Sequence, residues 1–185
     1  MRARALAAVL LAAAFVGGCG VPVDEEPRNL RSPGISYGSS GPAPDRFGSA
    51  VERLYLVRDG GLARVLRRVP AARSPEQTLQ DLLAGPTAAE HEDGLSTALS
   101  TMTIDGIAVD QRRAVVAIGG AGQQGTRSDE ILAYGQIVCT LTSQGAEVGT
   151  VSFTSDGRPL GVPRGDGSLS ADPLTIADYA GLLGS

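Results

Sequence analysis

The densest set of ligand-type side chains is Glu90-His91-Glu92-Asp93, four consecutive residues that include the only histidine in the chain. Consecutive positions cannot all face one ion, and a zinc site built on two or three imidazoles cannot be assembled from one. The stretch reads as a solvated turn. A second candidate is Gly120-Ala121-Gly122-Gln123-Gln124-Gly125, which has the glycine spacing of a dinucleotide-binding turn, with Glu147 about 20 residues further on. In such a turn the glycines open the helix itself. Here the capping residues Ser128-Asp129-Glu130 come after the last glycine and the strands before it read as a hairpin, so a plain loop is expected. Cys139 lies in an apolar helical pattern with no histidine nearby in sequence, and reads as a small buried hydrophobe rather than a nucleophile. Ser96 and Ser100 belong to an amphipathic stretch outside any Gly-x-Ser-x-Gly elbow. Asp105 and Asp110 flank a strand as a glycosidase pair would, yet among 20 acidic residues such pairs arise by chance. Arg67-Arg68 and Arg112-Arg113, at a strand end and a hairpin tip, read as solubilising charges that would also suit an anionic surface such as teichoic acid or head groups.

Composition narrows the chemistry further. All 16 basic residues are arginine, so a phosphate-binding loop lacks its lysine and a Schiff-base mechanism its amine. A net charge of −4 and the absence of tryptophan remove the basic, stacking-capable surface that nucleic-acid binding needs. No cofactor and no nucleic-acid partner is expected. At 185 residues the chain supports one modest domain with flanking segments.

The N-terminus carries an address. Arg2 and Arg4 precede an apolar run over residues 5–16, about 12 residues, the length of a secretory core and too short to span a bilayer of roughly 30 Å as a helix. Val16-Gly17-Gly18-Cys19 then resembles a lipobox, with cleavage between Gly18 and Cys19 and lipid on Cys19. Residues 1–18 are thus expected to be a lipoprotein signal and the mature chain to be anchored on the extracytoplasmic face of the cell membrane. More than one acyl chain makes such an anchor stable. With Cys19 lipidated, Cys139 has no disulfide partner. Residues 19–48, rich in Pro, Gly and Ser, read as a flexible tether whose root-mean-square span would be about 30 Å.

The elements that must position the candidates begin near Val51. Residues 51–57 and 62–69 read as a hairpin turned by Asp59-Gly60-Gly61, with Leu62, Arg64, Leu66 and Arg68 taken as alternating apolar with charged. Ser74-Pro75-Glu76-Gln77 is a capping box with proline at its first position, followed by Leu79, Leu82 and Leu83 and stopped at Gly85-Pro86. Thr87 to Glu90 opens one more turn. Residues 102–109 and 113–118 form a second hairpin. A helix capped at Ser128-Asp129-Glu130 runs to about Gln144 with Ile131, Gly135, Val138, Leu141 and Thr142 along one side. Strands follow over residues 148–154 and 159–162, separated by Asp156-Gly157, and a last helix is capped by Asp172-Pro173. The order ββαββαββ plus a C-terminal helix implies an α+β fold, a mostly antiparallel sheet packed on two main helices. The domain is expected over residues 49–164, with residues 165–185 as a C-terminal segment.

Leu54-Tyr55-Leu56-Val57 with Asp59-Gly60, Leu82-Leu83-Ala84-Gly85-Pro86-Thr87, Gly94-Leu95-Ser96-Thr97-Ala98-Leu99, Gln136-Ile137-Val138-Cys139-Thr140-Leu141-Thr142 and Val151-Ser152-Phe153 with Asp156-Gly157-Arg158-Pro159 stand in one order. In that order and spacing they resemble the GerMN domain of bacterial sporulation and spore-germination lipoproteins, over about residues 51–162. The resemblance implies an α+β sandwich, a place outside the plasma membrane, and a part in sporulation complexes or, as for LpqB-like lipoproteins, beside sensor kinases. It implies no catalytic residues. The expected function is a non-enzymatic envelope lipoprotein that binds another protein or assembles laterally, with binding or hydrolysis of cell-wall polymer as the alternative.

Overall fold

The computed structural model describes residues 49–120 and 126–184. The signal, the tether and Cys19 therefore lie outside the described residues, as do five residues of the glycine-rich loop. The first hairpin pairs β1 (Ala50–Arg58) with β2 (Gly61–Val69) in unbroken antiparallel register from Ala50↔Val69 to Arg58↔Gly61. Its two-residue turn, Asp59 and Gly60, holds positive φ at both positions (51° and 73°), the geometry whose twist matches paired strands. Leu62, Arg64, Leu66 and Arg68 do not alternate between faces, because positions two apart in a strand share one. Leu62 on that face is buried and Leu66 is 58% exposed.

Ser74 caps α1 (Pro75–Leu83) as expected, accepting from the Gln77 backbone while Gln77 accepts from the Ser74 N–H at 3.0 Å. Leu79 and Leu82 face the core, and Gly85 (φ 77°) turns the chain out. Thr87 and Glu90 repeat the box for the single turn α2 (Ala88–Glu92). The second hairpin joins β3 (Thr103–Asp110) to β4 (Arg113–Gly119), with a bulge between Ile104 and Gly106.

The main helix, α3 (Arg127–Thr142), begins elsewhere than expected. Its cap is Thr126, whose hydroxyl accepts from the Asp129 N–H while Asp129 accepts from the Thr126 N–H at 3.1 Å. The Thr-x-x-Asp spacing satisfies two orphan donors at once, which Ser128 cannot do. The helix is also not apolar along one side only. Every residue from Ala133 to Leu141 is buried, because β1, β5, β7, α1 and a C-terminal helix all pack against it. Tyr134 meets Phe153 edge-on, with ring centroids 4.9 Å apart.

After α3 the chain enters β5 (Thr150–Ser155), which lies parallel to β4, from Arg113↔Thr150 to Ala117↔Thr154. The unit β4–α3–β5 is thus a crossover connection and not part of a run of hairpins, a long-range pairing that no local signal announces. Asp156 and Gly157 turn β5 into β6 (Arg158–Pro159), completing the sheet order β3-β4-β5-β6. Two further short strands, β7 (Val162–Pro163) and β8 (Leu169–Ser170), pair with each other. The fold is α+β, with antiparallel pairing predominating, and the order is ββααββαββββ before the last helix. That helix is a 3₁₀ helix, Ile176–Leu182, entered from Thr175 and not from Asp172-Pro173. Leu174 instead bridges to Val151, and Tyr179 sits wholly buried with its hydroxyl donating to the Pro163 carbonyl at 2.8 Å.

Candidate functional site

The acidic stretch around His91 is used by the fold. Glu90 caps α2, accepts from the Thr87 N–H at 2.7 Å, and takes both a 3.0 Å bond from Arg67 Nε and a 2.6 Å bond from Arg67 Nη2. Arg67 Nη2 also donates to the Gly85 carbonyl at 2.8 Å, so one guanidinium fastens β2 to the end of α1 and to α2. The Arg67 hydrogen bond, chiefly, holds the Glu90 carboxyl below its usual range. His91 Nδ1 lies 3.3 Å from the Leu95 carbonyl. Among the described residues no three His, Cys, Asp or Glu side chains converge as metal ligands.

The other candidates are likewise separated. Asp105 sits at the bulge of β3 and Asp110 at its end, five residues and roughly 16 Å of strand apart, beyond the spacing of a glycosidase pair. Ser96 lies in a backbone bridge with Val57, whose carbonyl and N–H both bond to it. Cys139 is fully buried, and burial pushes its thiol up to about 12. Arg67 faces inward and Arg68 outward. Of the glycine-rich motif only Gly120 is described, exposed and at φ 77°.

What the structure brings together instead is a row of polar side chains on α3. Gln136 Nε2 donates to the Tyr55 carbonyl at 3.0 Å, Thr140 Oγ1 accepts from the Tyr55 N–H at 2.9 Å, and Gln144, just past α3, bonds both the N–H and the carbonyl of Arg53. Val57 is satisfied by Ser96. These side chains replace a neighbouring strand, so the free edge of β1 is closed from Arg53 to Val57. Gln136 also accepts from the Ala98 N–H at 2.8 Å, which pins the segment after α2 to the same helix. The sequence carried a signal for this arrangement: Gln136, Thr140 and Gln144 recur every four residues in an otherwise apolar helix, where polar groups need partners.

Beneath the hairpin lies Glu52, 2% exposed, with neither carboxylate oxygen hydrogen-bonded among the described residues. Burial, then the nearby Asp81, raises its carboxyl, against the opposing pull of Arg73 and Arg67 and of Thr78. Asp81 is itself paired to Arg73 at 3.0 Å. Along the outer side of the hairpin a depression is lined by Tyr55, Arg58, Leu62, Arg64, Leu183 and Gly184.

A family profile described as Germane, sporulation and spore germination, matches residues 53–161. Among solved structures, the chain is similar to the first GerMN domain of the sporulation protein GerM from Bacillus subtilis, with a TM-score of 0.52 and 20% identity over 70% of this chain and 99% of that one. It is similar at the same score and identity to the tandem GerMN domains of that protein, of which it spans 47%. At this identity the likeness is one of fold. No curated protein matches the chain in sequence.

Proposed function

This chain belongs to the Germane family of sporulation and spore-germination domains, and from that premise we propose that it is a non-enzymatic interaction module of the cell envelope. Lipid on Cys19 would hold it at the outer face of the membrane, and residues 20–48 would let it reach a protein partner. One observation carries the reading. The side chains with chemical potential are consumed by the fold, Glu90 by Arg67, His91 near the Leu95 carbonyl and Cys139 by burial, whereas Val51 and Leu66 stand 44% and 58% exposed on one face of the hairpin. Val51 and Leu66 are diagonal neighbours across the two strands, and adjacent exposed apolar side chains rimmed by charge are what a contact surface presents.

The test is chemical crosslinking of the full chain in native cells. A recurrent protein neighbour is expected; recovery of lipids or wall polymer alone, with no protein, would count against the reading. The anchor has its own test. Cys19→Ala should release the chain from membranes, and unchanged retention of an unmodified precursor would contradict it.

A further inference from the structure

The two edges of the β1–β2 sheet are treated differently. Since Arg53 bonds outward to Gln144, Tyr55 to Thr140 on α3 and Val57 to Ser96, the ladder with β2 must be made by the alternate residues Glu52, Leu54, Leu56 and Arg58, which pair with Arg67, Val65, Ala63 and Gly61. The main-chain groups of Leu62, Arg64, Leu66 and Arg68 therefore point away from β1. Gly184 N–H covers the Leu62 carbonyl at 3.0 Å. The N–H and carbonyl groups of Arg64, Leu66 and Arg68 have no hydrogen-bond partner among the described residues.

We infer that this edge of β2, from Arg64 to Arg68, receives an extended acidic segment of a partner protein as a third strand. The inference rests on the interaction reading above and deepens it. Proteins blunt open edges with proline, bulges or charge. Here there is neither proline nor bulge, the register runs straight, and the only device is charge. Arg64 and Arg68 flank Leu66, Arg53 lies across from Leu66, and none of the three arginines has an acidic partner among the described residues. A second copy pairing β2 to β2 about Leu66 would set Arg64 opposite Arg68, and like charges directly opposed destabilise a sheet. An acidic strand meets the same row with attraction. Its recognition pattern follows from the two-residue period: an acidic residue, any residue, an apolar residue against Leu66, any residue, and a second acidic residue. Anionic lipid or wall phosphate offers acceptors for the arginines but no row of N–H donors and carbonyl acceptors at strand spacing for the main-chain groups of Arg64, Leu66 and Arg68.

The test places the photoreactive residue p-benzoylphenylalanine at position 66 of the full chain in native cells, with positions 83 and 169, also exposed, as comparison sites. The expected result is a crosslink from position 66 to a segment of another protein with the acidic–x–apolar–x–acidic pattern, reduced at least about tenfold by Arg64→Glu with Arg68→Glu. The milder pair Arg64→Gln and Arg68→Gln should reduce it less, and both variants should keep the wild-type circular dichroism. Crosslinks from position 66 to a second copy, to the chain's own residues, to lipid or to wall polymer would overturn the inference. So would capture that ignores the arginine changes, or protein capture at positions 83 or 169 with none at 66, which leaves the interaction reading standing. No protein captured from any position would defeat both.

Discussion

Gln136 on α3 and Tyr55 on β1 are joined by a side-chain amide donating to a main-chain carbonyl at 3.0 Å, the contact that a neighbouring strand would otherwise make. The match extends along both elements for a geometric reason. Four residues of helix rise about 6 Å and two residues of strand about 6.8 Å. Thr140 and Gln144, four residues apart, can therefore keep step with Tyr55 and Arg53, two residues apart, and the longer Gln136 side chain reaches from one turn earlier to the Tyr55 carbonyl.

Replacing Gln136 by Leu keeps most of the volume and strands the Tyr55 carbonyl and the Ala98 N–H in the core. An unsatisfied buried group costs about 1–3 kcal/mol, so a loss of about 2–4 kcal/mol is expected in urea unfolding. A loss below about 0.5 kcal/mol would show that the edge of β1 does not depend on this amide.

Gly135 packs where α3 meets the hairpin and the last helix. A Cβ there would come within 2.9 Å of both Leu62 Cδ1 and Tyr179 Cδ1. Alanine would gain up to about 1 kcal/mol in helix propensity, but the Tyr179 ring is held by its bond to Pro163 and cannot swing away. Overpacking costs about 1–3 kcal/mol, so Gly135→Ala should lower stability by roughly 1–2 kcal/mol. Adding Leu62→Val should recover part of the loss, and a melting temperature raised by the single change would refute the packing argument.

Glu52 should give the stability curve an unusual slope. Its folded-state carboxyl is raised above the ordinary value of 4.5 by burial and by Asp81. Between the ordinary and the raised value the folded state holds more protons than the unfolded one. Stability from this group is therefore fully present below pH 4.5 and declines as pH rises through the folded value. Glu52→Gln removes the titration while keeping the shape. The variant should equal or exceed the wild type in melting temperature at pH 7 and lose its advantage toward pH 4. A variant destabilised at pH 7 yet not at pH 4 would mean that the charged carboxylate is needed where it lies.

Cys139 should be silent in the folded protein. With its thiol pushed up to about 12 by burial, roughly one molecule in ten thousand carries thiolate at pH 8, and the sulfur has no exposed surface. A thiol-specific reagent should label it only as fast as the chain opens, with the rate rising in parallel with unfolding in denaturant. Prompt labelling without denaturant would show that α3 is not buried as described.

The short-range features were legible because their causes are short-range. Asp59-Gly60 must turn left-handed, and Ser74 with Gln77 satisfies donors within one turn of helix. The recurring stretches that carry the family resemblance gain physical roles from the fold: Gly85 turns the chain out of α1, Thr87 caps α2, Ser96 bridges β1, and Gln136 and Thr140 close its edge. The start of α3 was misplaced because Ser128 and Thr126 both suit a cap, and only the Asp129 side chain reaching back decides between them.

By itself the sequence determined the turns, the caps of α1 and α2, the α+β class and the family, all of which follow from residues a few positions apart. Only the tertiary structure decided that β5 lies parallel to β4, that α3 is buried on every side from Ala133 to Leu141, that Glu52 is out of water, and that β1 is closed from Arg53 to Val57 while β2 stays open from Arg64 to Arg68. Those outcomes depend on which groups, some 80 to 90 residues apart, meet to satisfy a hydrogen bond. No local pattern contains that choice, because burial and pairing belong to the assembled chain and not to any one segment of it.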